Sequence, residues 1–394
     1  MSRFLFVVPP LVGHINPTVG VATALVDNGH EVAWAGNPEI IASLVGPNAA
    51  VFPCATPELG DGRTPDMRGP AALKFLWESF LIPLAEAMTP GVRNAVDEFA
   101  PDALIVDQQA IAGGMVANAL DLPWATSATT SAELADPLAS MPRVAEWLAG
   151  MLADLQARLG MPPVGDIRFS PHLVLVFSTI ALTGLVDYRA GQLRFVGPSI
   201  AARPPADDFP WDWLDPQRQH VLISLGTANI DVGAQFLSES ARALAERPHI
   251  QGIIVDPAGT IGETPENVLV CRRVPQLELM PRVQAVVCHG GHNTVCEALY
   301  HGVPLVIAPI RDDQPIVAQQ VVDADAGVRL RFGRANAEQI GAAIDKVLST
   351  AFYWYNARRV RDSFRSAGGA AAAAGHLAEL AANRTPAVVS SRRS

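Results

Sequence analysis

Between Cys271 and Gln314 the chain lays out a strand, a glycine turn, a helix and a second strand in direct succession. The apolar run Val283–Cys288 leads straight into His289-Gly290-Gly291-His292-Asn293-Thr294, a helical pattern follows and is closed by Gly302, and Val303–Pro309 is apolar again. That order is a βαβ unit, which commits the segment to a parallel sheet with helices on its faces. Glycine at the turn lets backbone approach a ligand, and the helix start beyond it offers unpaired N–H groups at the positive end of its dipole. Such a place suits a diphosphate. Neutral and hydroxyl donors (His289, Asn293, Thr294) stand around it, and acids follow at Glu297 and Asp313. The set fits a phosphorylated compound that also carries many hydroxyls, as a nucleotide sugar does.

Four blocks in this order, Val274-Pro275-Gln276, then His289-Gly-Gly-His-Asn-Thr with Glu297-Ala298, then Gly302-Val303-Pro304, then Asp313-Gln314, resemble a known donor-binding signature. It is that of the GT-B glycosyltransferases of the antibiotic, macrolide and plant UDP-glycosyltransferase group. The resemblance implies an α/β fold of two Rossmann-like, doubly wound domains facing across a cleft. It also implies roles by motif position. His289 and the Asn293-Thr294 pair bind the diphosphate, Gly291 and His292 belong to the same donor site, Glu297 takes the ribose hydroxyls, and Asp313 with Gln314 takes the sugar hydroxyls. Gly226-Thr227, after the apolar run Val221–Leu225, resembles the strand-end pair that reaches the terminal phosphate. Arg273, with Val274 and Gln276 beside the base, stands where plant relatives carry a tryptophan that stacks on uracil. A guanidinium also lies flat on a base, so the choice between uracil and thymine stays open. Two of these assignments have structural rivals. Thr294-x-x-Glu297 fits a capping box, in which Glu297 bonds the helix's first N–H, and Gly226-Thr227 fits a plain turn.

At 394 residues and 49% hydrophobic content, the chain predicts two or three domains with sizeable cores. A net charge of −10 argues against nucleic acid, whose phosphates call for a basic face. A diphosphate must then be met by a local field. The apolar run Phe4–Val8 is broken by Pro9-Pro10 and His14, long before a signal segment or membrane span is complete. A cytoplasmic protein with no membrane span is expected. The four cysteines (Cys54, Cys271, Cys288, Cys296) follow no framework spacing and read as free thiols. The lysines Lys74 and Lys346 leave few candidates for Schiff-base chemistry.

Strand-like runs alternate with helical patterns at Phe4–Val8, Glu31–Ala35, Ala103–Val106 and Leu173–Phe177, and again at Val221–Leu225, Gly252–Val255, Val268–Cys271, Val283–Cys288 and Leu305–Ala308. Between the halves, Pro198–Pro216 carries Pro204-Pro205, Asp207-Asp208, Trp211 and Trp213 and reads as a linker. The expected division is an acceptor-binding domain over 1–204, a nucleotide-sugar-binding domain over 205–351, helices over 352–382 that the resemblance implies cross back to the first domain, and a disordered tail over 383–394.

Near the start, Gly13-His14-Ile15-Asn16-Pro17 echoes Gly291-His292-Asn293. Asn16 reads as an N-cap with Pro17 at the first helical position, which leaves His14 in the loop beyond a strand's end. Asp107 closes the run Ala103–Val106 and reaches the same edge. Transfer to an alcohol needs a base near the acceptor hydroxyl, an imidazole suits it, and an acid orients the imidazolium that forms. The family resemblance gives these roles to His14 and Asp107. A helix-start histidine bonded to backbone and an aspartate capping the next helix are the blander alternative.

The resemblance thus implies an inverting, metal-independent hexosyltransferase, glucose favoured, using a UDP- or dTDP-sugar as co-substrate and needing no cofactor. No Asp-x-Asp pair stands near the donor motif. The acceptor wall is expected in Leu59–Pro90, with Met67, Phe75, Trp77 and Phe80, joined by Trp124; Phe75–Leu84 also has the spacing of an ordinary core helix. An apolar small molecule such as a polyketide, macrolide or flavonoid is the expected acceptor, and a homodimer is compatible with all of this. Three rivals stand beside it. Cys288, His289, His292 and Cys296 offer a zinc set, opposed by a strand-end and a mid-helix placement of the two thiols. A nucleotide-sugar 2-epimerase or hydrolase shares the architecture. A non-catalytic nucleotide-sugar sensor would keep the donor motif without turnover.

Overall fold

The structure is a computed structural model, and it describes residues 1–57, 64, 67, 69–135, 138, 141–185, 193–201, 209–226, 229 and 232–383. Two parallel sheets organise the chain. The first is built from β1 (Arg3–Val7), β2 (Glu31–Gly36), β3 (Val51–Pro53), β4 (Ala103–Asp107), β5 (Trp124–Ala128), β6 (Leu173–Val176) and β7 (Leu193–Phe195). The second contains β8 (Gln219–Ser224), β9 (Ile250–Val255), β10 (Val268–Cys271), β11 (Ala285–Cys288), β12 (Leu305–Ile307) and β13 (Gly327–Arg329).

The strand orders are β3-β2-β1-β4-β5-β6-β7 and β10-β9-β8-β11-β12-β13. Both sheets therefore start in the middle, run outward to one edge, then return to the middle and run outward to the other. The reversal falls between β1 and β4 in the first sheet and between β8 and β11 in the second. Helices cover both faces, which explains why β1, β4, β8 and β11 are nearly continuous apolar runs.

The periodic runs recognised in the sequence are strands. β3, β5, β7 and β13 carried weaker signals. β5, Trp-Ala-Thr-Ser-Ala, is buried throughout yet ends in small and hydroxyl side chains, so no apolar run marks it. Thr126 is paired inside the fold, its Oγ1 receiving the Ser170 N–H at 2.7 Å, whereas the buried Ser127 hydroxyl has no hydrogen-bonding partner among the described residues.

The first helix differs from the expected one. It spans Val12–Asp27 with Leu11 as N-cap, so His14 lies in its first turn rather than in a loop, and Pro17 is internal rather than first. Proline's missing N–H leaves the carbonyl four residues back, that of Gly13, without its helical donor. Asn293 Nδ2 donates to this carbonyl at 2.7 Å from the other domain. A proline that breaks one helical bond is thus tolerated because a side chain supplies a replacement.

The helix Ala351–Ser366 buries Ala357, Val360 and Phe364 in the second domain's core. The chain then turns at Gly368, whose φ is +89°, and the helix Gly369–Ala382 buries Ala373, Ala374 and Leu377 against Phe4, Ile15, Val21 and Leu25 of the first domain. One continuous segment is in this way bonded into both cores. The Pro204-Pro205 and Asp207-Asp208 parts of the linker and the tail 384–394 lie outside the described residues. Among the described residues, no helix is long and apolar enough to cross a membrane.

Leu377 has no exposed surface. Leu377→Ala is expected to destabilise the protein by about 2–5 kcal/mol, read from the midpoint of denaturant unfolding. A shift within experimental error would show that the last helix is not part of the first domain's core.

Candidate functional site

In an open parallel sheet, the loops at the carboxyl ends of the strands diverge where the winding direction reverses, and ligands bind in the crevice so formed. Both crevices here hold the residues singled out by motif. At the first, β1 runs into the turn that carries His14, and β4 ends on Asp107. At the second, β8 runs into Gly226, and β11 runs into His289-Gly290-Gly291.

His14 and Asp107 meet. His14 Nδ1 lies 2.9 and 3.0 Å from the two carboxylate oxygens of Asp107. Asp107 is fully buried, whereas 17% of the His14 side chain is exposed. The carboxylate also accepts the Gln109 N–H at 2.8 Å and the Thr129 hydroxyl at 2.7 Å. Because an ionised carboxylate only accepts, Nδ1 carries the ring proton and Nε2 presents its lone pair. Among the described residues Nε2 has no hydrogen-bonding partner. Burial pulls the His14 pKa down, but the charge of Asp107 and its hydrogen bond, with the more distant charges of Asp313 and Glu133, outweigh it and raise the pKa above the ordinary 6.5.

His289 is treated oppositely. Burial, only partly offset by the Ser224 backbone, lowers its pKa to about 4, so the ring is neutral at neutral pH. It is held by absent side chains. A Cβ on Gly226, whose φ is +69°, would stand 2.7 Å from the ring, and one on Gly291 would collide with Nε2. Nδ1 of His289 is buried without a hydrogen-bonding partner among the described residues. Gly290, at φ +88°, makes the turn into the helix His292–Tyr300, whose start has no side-chain cap. The capping-box alternative for Thr294 and Glu297 therefore fails: the helix begins at His292, which puts Thr294 inside the first turn. Glu297, buried, accepts a 2.6 Å hydrogen bond from Gln276 Nε2.

Other donor candidates divide. Asn293 bridges to Gly13 as described. Asp313 accepts from Thr130 Oγ1 at 2.6 Å across the cleft. Burial is the main cause that raises the Asp313 pKa, against the opposing Thr130 bond. Its neighbour Asp312 has φ +57°, a strained conformation for a side-chain-bearing residue. Gln314 is buried, and its Oε1 accepts the backbone N–H groups of Ile310 and Arg311 at 2.9 and 3.0 Å. Arg273 is exposed and Val274 half-buried beside the Gln276 turn. Thr227 lies outside the described residues.

His292, expected in the donor site, makes its contacts with the first domain. Its ring crosses to the first domain, with Nε2 3.4 Å from the Phe177 carbonyl and Nδ1 3.5 Å from Ser131 Oγ. The ring is buried, and burial lowers its pKa to about 4. Cys296 Sγ is 3.4 Å from the same Nε2, while Cys288 is buried in the second core, where its thiol pKa is pushed up to about 12. Among the described residues no group of metal-binding side chains assembles.

The acceptor wall needs correction. Trp77, Phe80 and Trp124 are core residues, 3%, 6% and 0% exposed. Trp124 is the first residue of β5, at the end of the sheet away from the cleft, and its indole packs over Gly114. Trp77 and Phe80 lie in a π-helical turn, Leu76–Leu81, inserted between Gly69–Phe75 and Ile82–Phe99. Met67 and Phe75 keep exposed surface, and part of the Leu59–Pro90 stretch lies outside the described residues. Missed by the sequence reading were Thr129, Thr130 and Ser131, which follow β5, and Glu133, paired with Arg168 at 3.0 Å. A Thr-Thr-Ser run at a strand's carboxyl end was the signal available.

Two parallel α/β domains that bring their winding reversals to a common cleft are the GT-B architecture. The comparisons agree with it. The calicheamicin glycosyltransferase CalG4 superposes with a TM-score of 0.80 over 98% of this chain and 100% of its own, at 22% identity. Residues 251–380 match the family described as erythromycin biosynthesis protein CIII-like, C-terminal domain. An uncharacterized UDP-glucosyltransferase, YojK of Bacillus subtilis (strain 168), is 28% identical over 98% of this chain and 99% of its own length. Demethyllactenocin mycarosyltransferase of Streptomyces fradiae is 28% identical, covering 95% and 85%. Together with the fold, these findings support the chain's membership of the macrolide and UDP-glycosyltransferase group.

A histidine whose folded pKa is depressed contributes stability above its unfolded value of about 6.5, and loses it as pH falls toward its folded value. His289 and His292, both near 4, should make unfolding take up protons between these limits. The denaturant midpoint is expected to fall from pH 7 to pH 5, and His292→Asn should remove about half of that dependence. An unchanged dependence in the variant would refute the assignment.

Proposed function

We propose that the protein is an inverting glycosyltransferase. It moves a hexose, glucose favoured, from a UDP- or dTDP-sugar to a hydroxyl of an apolar small molecule such as a polyketide, macrolide or flavonoid. The observation that carries this reading is one juxtaposition. The His14–Asp107 pair at the first crevice is tied through Gly13 and Asn293, 2.7 Å apart, to the glycine turn of the second. A base and a diphosphate-type turn thus share one cleft.

In this reading His14 Nε2 takes the acceptor's hydroxyl proton while the oxygen attacks the anomeric carbon from the face opposite the diphosphate. The bond from that carbon to the phosphate oxygen breaks, its electron pair leaves with the nucleoside diphosphate, and the configuration inverts. Asp107 holds the ring and balances the imidazolium. The uncapped helix start at His292 and the neutral His289 meet the departing charge with fixed dipoles, so departure needs no metal ion. Asp313 and Gln314 would hold sugar hydroxyls and Glu297 the ribose. The relatives' names point to a glucosyl group in one case and a mycarosyl group in the other; the acid-amide pair at Asp313-Gln314 favours a sugar that keeps its hydroxyls.

The test is transfer itself: purified protein, EDTA, UDP-glucose or dTDP-glucose, and a panel of phenolic and macrolide alcohols, with products read by mass and anomeric configuration by NMR. A hexose-bearing product of inverted configuration is expected. Free sugar alone would favour the hydrolase alternative, and donor binding without turnover a sensor.

His14→Ala should lower kcat by about 10²–10⁴-fold with nucleotide affinity retained. The base works unprotonated, so kcat should fall as pH drops through a value above 6.5. Asp107→Asn, which removes the charge that raises this value, should move that limb to lower pH. A limb that stays in place would show that His14 is not the titrating base.

A further inference from the structure

Asp107 is not the only group that touches the inner face of His14. Thr129, buried just beyond β5, places Oγ1 2.8 Å from His14 Nδ1 and 2.7 Å from Asp107 Oδ2. A hydroxyl has one proton. Asp107 is a carboxylate that can only accept, so the Thr129 proton goes to Oδ2, and the oxygen's lone pairs face Nδ1. The Nδ1–H is then shared between Asp107 and Thr129. We propose that Thr129 is the positioning residue of the His14–Asp107 pair, fixing both the carboxylate and the imidazole so that Nε2 points at the acceptor hydroxyl. This rests on the reading of His14 as the base.

The physical case is one of orientation. An imidazole joined to a single carboxylate keeps freedom to rotate about that contact, which here is forked, at 2.9 and 3.0 Å to the two oxygens. A third contact, from a strand end that cannot move without disturbing the sheet, removes that freedom. Oδ1 is already tied by the Gln109 N–H, and Thr129 ties Oδ2. When the imidazolium forms, its Nδ1–H has two acceptors aligned in advance, which is worth more in the transition state than in the resting enzyme. Serine keeps this chemistry. Valine keeps the shape and loses it.

The experiment compares Thr129→Val with Thr129→Ser in the full chain. Valine is expected to lower kcat about ten-fold, the effect of one well-placed hydrogen bond, with the KM for the nucleotide sugar unchanged, and serine is expected to restore kcat to within about two-fold. A residue that only packs would give the reverse order, because valine preserves its volume and serine does not. The His14 Nδ1–H proton resonance reads the same contact without turnover: sharp in the wild-type and serine proteins, broadened by solvent exchange in the valine protein. Valine with wild-type kcat and a sharp resonance would overturn the proposal, and so would serine and valine equally impaired. If the wild-type protein transfers no sugar, the base reading fails, and the resonance alone decides whether Thr129 fixes the ring.

Discussion

Everything at the cleft depends on where the two sheets reverse their winding. A parallel sheet needs crossover helices, and when successive crossovers go to opposite sides of the starting strand, the loops leaving the two central strands part company. The gap they leave is wide enough for side chains from neighbouring strands to meet without filling it. In the first sheet this brings a residue from the start of the chain against one that follows it by ninety-three positions, His14 and Asp107. In the second it brings Gly226 against His289. Neither pairing is local in sequence, and both follow from the strand order alone.

The domains are joined at these same places. Pro17 deprives Gly13 of its helical donor, and the bare carbonyl is taken by Asn293. Gly13 itself has no side chain, and a Cβ there would already touch the Asn293 amide. After β5, Thr130 bonds Asp313, and Ser131 Oγ donates to Gln320 at 2.7 Å. These hydrogen bonds are formed by groups that also line the cleft. Closure of the domains and arrangement of the site are therefore not separate events: a shift between domains must break bonds held by the residues that would hold the sugar.

Much of this was legible in the sequence. Apolar runs mark the central strands because those are covered on both faces, and the glycine turn after β11 is marked by the close approach of backbone to the His289 ring. Asp107 was placed correctly because its strand is an unbroken apolar run ending in a charge. The rest was hidden for physical reasons. The proline at position 17 has the look of a helix start, and only a donor from the other domain explains how it sits inside one. β5 is small and polar in sequence although buried throughout, so no apolar run marked it and its Thr129-Thr130-Ser131 extension went unseen. Trp77, Phe80 and Trp124 were read as a ligand wall because large aromatics suit both a pocket and a core, and burial alone separates the two.

The two histidines at the cleft show how one side chain is set to two tasks. His14 lies beside a buried carboxylate that collects several donors, and it supplies one; the same pairing raises the pKa of His14. His289 lies between two glycines with no acid in contact, and burial drives its proton away. At neutral pH the second ring can meet phosphate oxygens only as a dipole, with the helix start beside it. The net charge of −10 makes that arrangement consistent with the chain as a whole. In the proposed reading, a diphosphate drawn into an acidic protein would be met by oriented N–H groups, which would attract it in place and would not neutralise the carboxylate beside His14.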